Sequence, residues 1–126
     1  TFTNGSMLSA GMWLGVQGQT ITATAMSELG SIGVLMVHTS YAKAMEEDGI
    51  RVTVFRAGSH KALATPYEDL SEEAIAEIND KSAKLYGFFT THVEGERASL
   101  NMANVNAWAE GRTFFGQEAV DIGLAD

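Results

Sequence analysis

Residues 30–55, GSIGVLMVHTSYAKAMEEDGIRVTVF, carry the alternation on which the fold class turns. Gly30 and Gly33 bracket a serine, and Val34–Val37 follows as a continuous apolar run short enough for a buried strand. Thr39 or Ser40 can cap a helix through Met45, and Gly49 stands where glycine favours the end of a helix. Arg51–Phe55 then alternates polar and apolar residues, as a half-buried strand does. The segment thus reads strand, helix, strand.

The same rhythm extends in both directions. Upstream, Met12, Trp13 and Val16 give Ser9–Gln17 a helical spacing, weakened at its end by Gly15 and Gly18, and Thr20–Thr24 is short and β-rich. Downstream, Ser71 is a good N-cap, with Glu72 and Glu73 favourably placed against the dipole of the first turn. Ile75, Ile78, Ser82, Leu85, Phe89 and Val93 then repeat at three and four residues, predicting the longest helix. A further helix is expected over Ser99–Ala109, a strand over Arg112–Phe115 and an amphipathic turn over Gln117–Ile122, closed by Gly123. Strands alternating with helices predict an α/β fold with a largely parallel sheet and flanking helices. With a single proline and no linker-like stretch, residues 1–126 read as one domain.

Composition excludes several functions. The chain is 45% apolar and 19% charged, as soluble globular proteins are. Its 8 basic and 16 acidic residues, net charge -8, argue against gripping nucleic acid or anionic lipid. Without cysteine there is no disulfide scaffold, thiol nucleophile or thiolate zinc site. No apolar run is long enough for a membrane span, and the N-terminal residues lack the pattern of a signal peptide.

Three polar residues lie where the chain is delivered to a turn: Ser9, Ser31 and Lys61. Ser9 opens a helix among small residues, Leu8-Ser9-Ala10-Gly11, where free amides and the helix dipole favour a developing negative charge. That suits a nucleophile; a plain helix cap is the alternative. Lys61 follows Ala57-Gly58-Ser59-His60, and a lysine replaces histidine as a base when burial keeps it neutral; otherwise it is a solvated surface residue. Ser31 between two glycines is also compatible with ordinary turn chemistry. His38, His60 and His92 leave a Ser-His-Asp triad open, but they lack metal-ligand spacing, and no cofactor is expected.

Four ordered motifs resemble peptidase family S49. Met7-Leu8-Ser9-Ala10-Gly11-Met12-Trp13 is similar to its nucleophile segment and GSIGV at 30–34 to its glycine-serine loop. AGSHKA at 57–62 is similar to its lysine motif, and AEGRTFFGQEAVDIGLAD at 109–126 to its closing pattern. Details such as SAG at 9–11 and ATPYEDLSEE at 64–73 most resemble the phage prohead proteases, with membrane-bound signal peptide peptidases as the second choice. The resemblance implies a ClpP/crotonase-like fold and a serine endopeptidase with a Ser9/Lys61 dyad. It implies that Ser31 orients the lysine, the Ala10 N–H serves the oxyanion, and Gly30, Ser31, Ile32, Gly33 and Val34 pair with an extended polypeptide substrate. It also implies that strands preceding the nucleophile lie upstream of residue 1, so that this is the C-terminal half of the domain. A homo-oligomeric ring is expected, with Tyr86, Phe88 and Phe89 either in its interface or in the core. The location is cytoplasmic in a prohead, or membrane-associated through an upstream anchor. Two readings of other classes are a non-catalytic capsid-assembly module and a crotonase-type acyl-CoA enzyme, which would need paired carboxylates that Ser9 and Lys61 lack nearby in sequence.

Overall fold

A computed structural model describes all 126 residues. In chain order the elements are β1 (Phe2–Thr3), β2 (Ser6–Leu8), α1 (Ala10–Gly15), β3 (Thr22–Ala23), β4 (Glu28–Gly30) and α2 (Ala42–Glu47). Then come α3 (Glu72–Glu96), a 3-10 turn (Met102–Asn104), α4 (Val105–Trp108), β5 (Thr113–Phe115) and α5 (Gly116–Asp121). They form two compact units, residues 1–34 with 83–126, and residues 35–82.

The first unit holds the hydrophobic core. Met12 and Val16 of the α1 region, Leu29 of β4, Val93 of α3, Trp108 of α4 and Leu124 are all fully or almost fully buried there. β1 pairs with β3 in parallel, and β2–β4–β5 form a second sheet. In it β2 and β4 are parallel, while β4 and β5 are antiparallel. The α/β expectation holds, with two of the three strand pairings parallel, but in two small sheets, one of them mixed. The cause is the Ala109–Arg112 turn, closed by an Arg112 N–H bond to the Ala109 carbonyl at 3.2 Å. It starts β5 beside the C-terminal end of β4, so β5 must run backwards along it.

The long helix forms as its pattern predicts, and Ser71 caps it, accepting from the Ala74 N–H at 3.1 Å. Its buried stripe lies slightly off the predicted one. Thr90 is fully buried and Tyr86 partly so, whereas Leu85 and Ile75 are exposed. Thr90 tolerates burial because its hydroxyl donates to the Tyr86 carbonyl at 3.0 Å. Phe89 joins the core, Tyr86 packs against it, and Phe88 faces solvent. The helix expected over Ser99–Ala109 is shorter. Asn101 accepts from the Ala103 N–H at 2.7 Å, so its side chain starts a 3-10 turn instead of continuing a helix.

An ion pair closes this unit. The buried Arg97 guanidinium donates to both carboxylate oxygens of Asp126, at 3.0 and 2.9 Å, and to the Gly123 carbonyl at 3.2 Å. Asp126 also accepts from the Ile21 N–H at 2.8 Å. The Arg97 bonds, then the Ile21 amide, hold the Asp126 carboxyl below its ordinary value of 3.8. A depressed carboxylate stabilises the fold above its unfolded pKa, and the contribution drains away as pH falls through the lower folded value. Asp126 is half-exposed, so solvent screening trims the effect. Asp126→Asn is expected to cost about 1–2 kcal/mol at pH 7. Urea denaturation of both proteins should show the gap closing toward pH 3; a gap that did not change with pH would mean the pair contributes nothing.

The second unit contains α2 and the start of α3. Ser40 accepts from the Ala42 N–H at 3.2 Å, and the Ile50 N–H reaches back to the Met45 carbonyl at 2.8 Å across Gly49, as expected for a glycine-terminated helix. The two strands expected here are absent. Residues 34–37 and 51–55 have no ladder, and Leu35, Val37 and Phe55 are each more than three-quarters exposed. A strand is made by its neighbours more than by its own propensity, and in this chain these segments have no paired neighbour. No helix in either unit is long and apolar enough to cross a membrane.

Candidate active site

Two serines meet at the C-terminal ends of neighbouring strands. β2 and β4 run parallel in the register Leu8↔Gly30, so Ser9 and Ser31, the next residue on each, emerge side by side. The Ser9 N–H donates to the Gly30 carbonyl at 2.9 Å, fixing that adjacency.

Both serines have φ = 52°, a left-handed conformation that non-glycine residues seldom adopt. Ser9 occupies a sharp turn from β2 into α1, with ψ = -119°. Its side chain makes no capping hydrogen bond and the residue is exposed, so it is not spent on closing the helix. An exposed serine held in a strained strand-to-helix turn is free for chemistry that a capping serine is not. Strain of this kind costs on the order of 1–3 kcal/mol and persists where surrounding structure enforces it. Here Gly15 of α1 packs so closely on β2 that a Cβ would lie 2.3 Å from the Met7 sulfur, which leaves the turn little slack. Ala10 begins α1, and its amide has no carbonyl partner within the helix.

The glycine-serine loop is pinned from the other side. The Ser31 N–H donates to the Arg112 carbonyl at 2.7 Å, and the Gly111 N–H to the Ile32 carbonyl at 2.9 Å. Ile32 is fully buried, Gly33 lies against Gly111, and Val34 is partly exposed. Gly30 is paired on both edges, with Leu8 and Thr113, and residues 31–32 are bonded on the side of Gly111 and Arg112, so only the other edge beyond Gly30 can accept an added strand.

Lys61 belongs to the second unit. It is exposed and lies in the turn over residues 57–64, where its N–H bonds the Gly58 carbonyl at 3.0 Å. The neighbouring His60 contacts Glu77 of α3 at 2.6 Å, and Arg56 forms an ion pair with Glu68, so these side-chain contacts hold this turn in place of the strand expected before it. The histidines are engaged elsewhere. His92 stacks on Trp13 with ring centroids 4.3 Å apart and contacts Gln17 at 2.7 Å, and His38 contacts the Thr65 carbonyl at 3.0 Å. A histidine triad around Ser9 gains no support. Sequence reasoning missed Glu110 and Tyr86, bonded to each other at the turn that holds the loop. The one available signal was the Glu110-Gly111-Arg112 string within the closing motif.

The profile of peptidase family S49 matches residues 2–126. The chain belongs to peptidase family S49. Among its relatives is capsid assembly protease C of Escherichia phage lambda, 31% identical over 118 residues, which are 94% of this chain and 26% of that protein. Head-tail preconnector protein GP5 of Enterobacteria phage P21 is 30% identical over 123 residues, 98% of this chain and 24% of that protein. The SppA-type signal peptide peptidase assigned in Enterococcus faecium is 29% identical over 118 residues, 94% of this chain and 34% of that protein. The chain thus spans about a quarter of each phage relative and a third of SppA.

Proposed function

We propose that this chain carries the catalytic serine segment of an S49 serine endopeptidase with a ClpP/crotonase-like fold, acting on capsid or scaffold polypeptides during phage head maturation. The observation that carries the reading is Ser9 in a strained, outward-facing strand-to-helix turn beside Ser31. The similarity to the two phage proteins directs it to capsid maturation. The similarity to SppA favours degradation of cleaved signal peptides as the second reading.

In the proposed mechanism neutral Lys61 takes the proton of Ser9 as the serine oxygen attacks the scissile carbonyl, then returns it to the leaving amine. Water hydrolyses the resulting acyl-enzyme. Ser31 hydrogen-bonds the lysine and orients it. The Ala10 N–H stabilises the oxyanion, a donor worth roughly 3–4 kcal/mol where comparable ones have been removed. Lys61 is exposed on this chain, so on this reading the bound substrate covers it and excludes water. The substrate adds as a strand to the unoccupied edge of Ser31–Val34, beyond the doubly paired Gly30, which requires a flexible polypeptide. The family resemblance leads us to propose a homo-oligomeric ring, and exposed Phe88 offers it apolar surface.

A fluorophosphonate probe tests the nucleophile. Incubated with the gene's full-length product, it is expected to label one serine, found by mass spectrometry in the peptide containing Ser9, and to stop cleavage of an unfolded protein. Labelling elsewhere, or none, would overturn the assignment and favour a non-catalytic assembly module.

A further inference from the structure

The turn that holds the glycine-serine loop is itself held in an unfavourable shape. Glu110 and Gly111 have φ values of 60° and 70°. With the Arg112-to-Ala109 hydrogen bond, they resemble the centre of a type I′ turn. Asparagine, aspartate or glycine usually fills the first central position, because a longer side chain is strained there. Glutamate sits there instead, and its carboxylate accepts a hydrogen bond from the Tyr86 hydroxyl on α3. Tyr86 is fixed in its turn: its ring packs on the core, and its carbonyl accepts from buried Thr90. Partial burial, and then the nearby carboxylate, push the Tyr86 phenol above its ordinary value of 10.0, so it remains a donor across the neutral range.

From Glu110 the path to the loop is one residue long. Gly111 donates to the Ile32 carbonyl, and Arg112 accepts from the Ser31 amide. We propose that Tyr86 and Glu110 are positioning residues that hold residues 31–33 in the shape an extended polypeptide substrate pairs with. Ser31, which orients the lysine in the proposed mechanism, lies within the held segment, so the pair's effect falls on substrate alignment through residues 32–33 and on lysine orientation through Ser31. The inference rests on the peptidase reading for its functional half, while its structural half stands independently.

The test uses the full-length protein with Tyr86→Phe, Glu110→Ala and Glu110→Gln. Hydrogen exchange at the Ser31 and Gly111 amides is measured alongside polypeptide cleavage and fluorophosphonate labelling of Ser9. Loss of one hydrogen bond corresponds to about three- to tenfold in an equilibrium. Tyr86→Phe and Glu110→Ala are therefore expected to speed exchange at both amides by that factor. They should also lower kcat/KM, through a raised KM as residues 32–33 lose alignment and through slower labelling of Ser9 as Ser31 shifts, each by about three- to tenfold. Glu110→Gln keeps an acceptor and should remain near wild type in every readout. Unchanged exchange at Ser31 and Gly111 would overturn the proposal, as would equally faster exchange at a core amide outside the loop such as Val16, which marks general destabilisation. If the wild type neither cleaves nor is labelled, the peptidase reading fails. The exchange rates then still decide whether Tyr86 and Glu110 hold the loop.

Discussion

Lys61→Arg is expected to be as inactive as Lys61→Ala, each lowering kcat on an unfolded polypeptide by roughly 10⁴-fold or more, as Ser9→Ala does. The arginine variant is the sharper test. A lysine acts as base only through its neutral amine, and a guanidinium stays protonated in proteins at any working pH. If Lys61 served merely as a positive charge near the substrate, arginine would preserve much of the activity. As a proton acceptor it cannot be replaced so. The double variant Ser9→Ala/Lys61→Ala should be no slower than the worse single one, because residues acting as one unit are not additive. Some acceleration over water should survive in all of these from the oxyanion donor and substrate binding. Near-normal cleavage by Lys61→Arg would remove the dyad and leave Ser9 in search of another base.

The parts of this chain that were legible in advance are those specified by short-range chemistry. Ser71 with its two glutamates marked the start of the long helix, Gly49 marked the end of α2, and both hold. The helix start at Ser9 was legible because a small-residue opening is a local pattern, and the turn at Ser31 because two glycines frame it. What failed was non-local. Val34–Val37 and Arg51–Phe55 have strand composition, yet a strand needs a partner, and periodicity does not report whether one exists. The direction of β5 depends on the turn at Glu110 and Gly111, which bonds a tyrosine far away in sequence on α3. The Arg97–Asp126 pair joins residues 29 apart in sequence, and neither residue's neighbours advertise it.

Gly30→Ala carries the second large effect, because this residue is caught by conformation and by space at once. Its φ is +113°, and a Cβ there would lie 2.6 Å from the Arg112 carbonyl oxygen, a backbone atom with no freedom to rotate away. The Phe114 ring at 3.3 Å closes the next direction. Backbone strain adds about 1–3 kcal/mol and forcing β5 from β4 a similar amount, so the variant should lose roughly 3–5 kcal/mol. That is a large share of the 5–15 kcal/mol by which domains are usually stable. Gly87→Ala is the matched control. Gly87 lies within α3 with no atom near its added Cβ, and the change should stabilise by about 0.5–1 kcal/mol through helix propensity. Denaturant unfolding separates the two substitutions by sign. The Gly30 carbonyl also accepts the Ser9 amide, so movement at Gly30 releases the nucleophile's turn. Fluorophosphonate labelling of Gly30→Ala should therefore collapse even under conditions where the variant remains folded. A stable Gly30→Ala that still labels would mean that β4, and not the glycine, sets the position of Ser9.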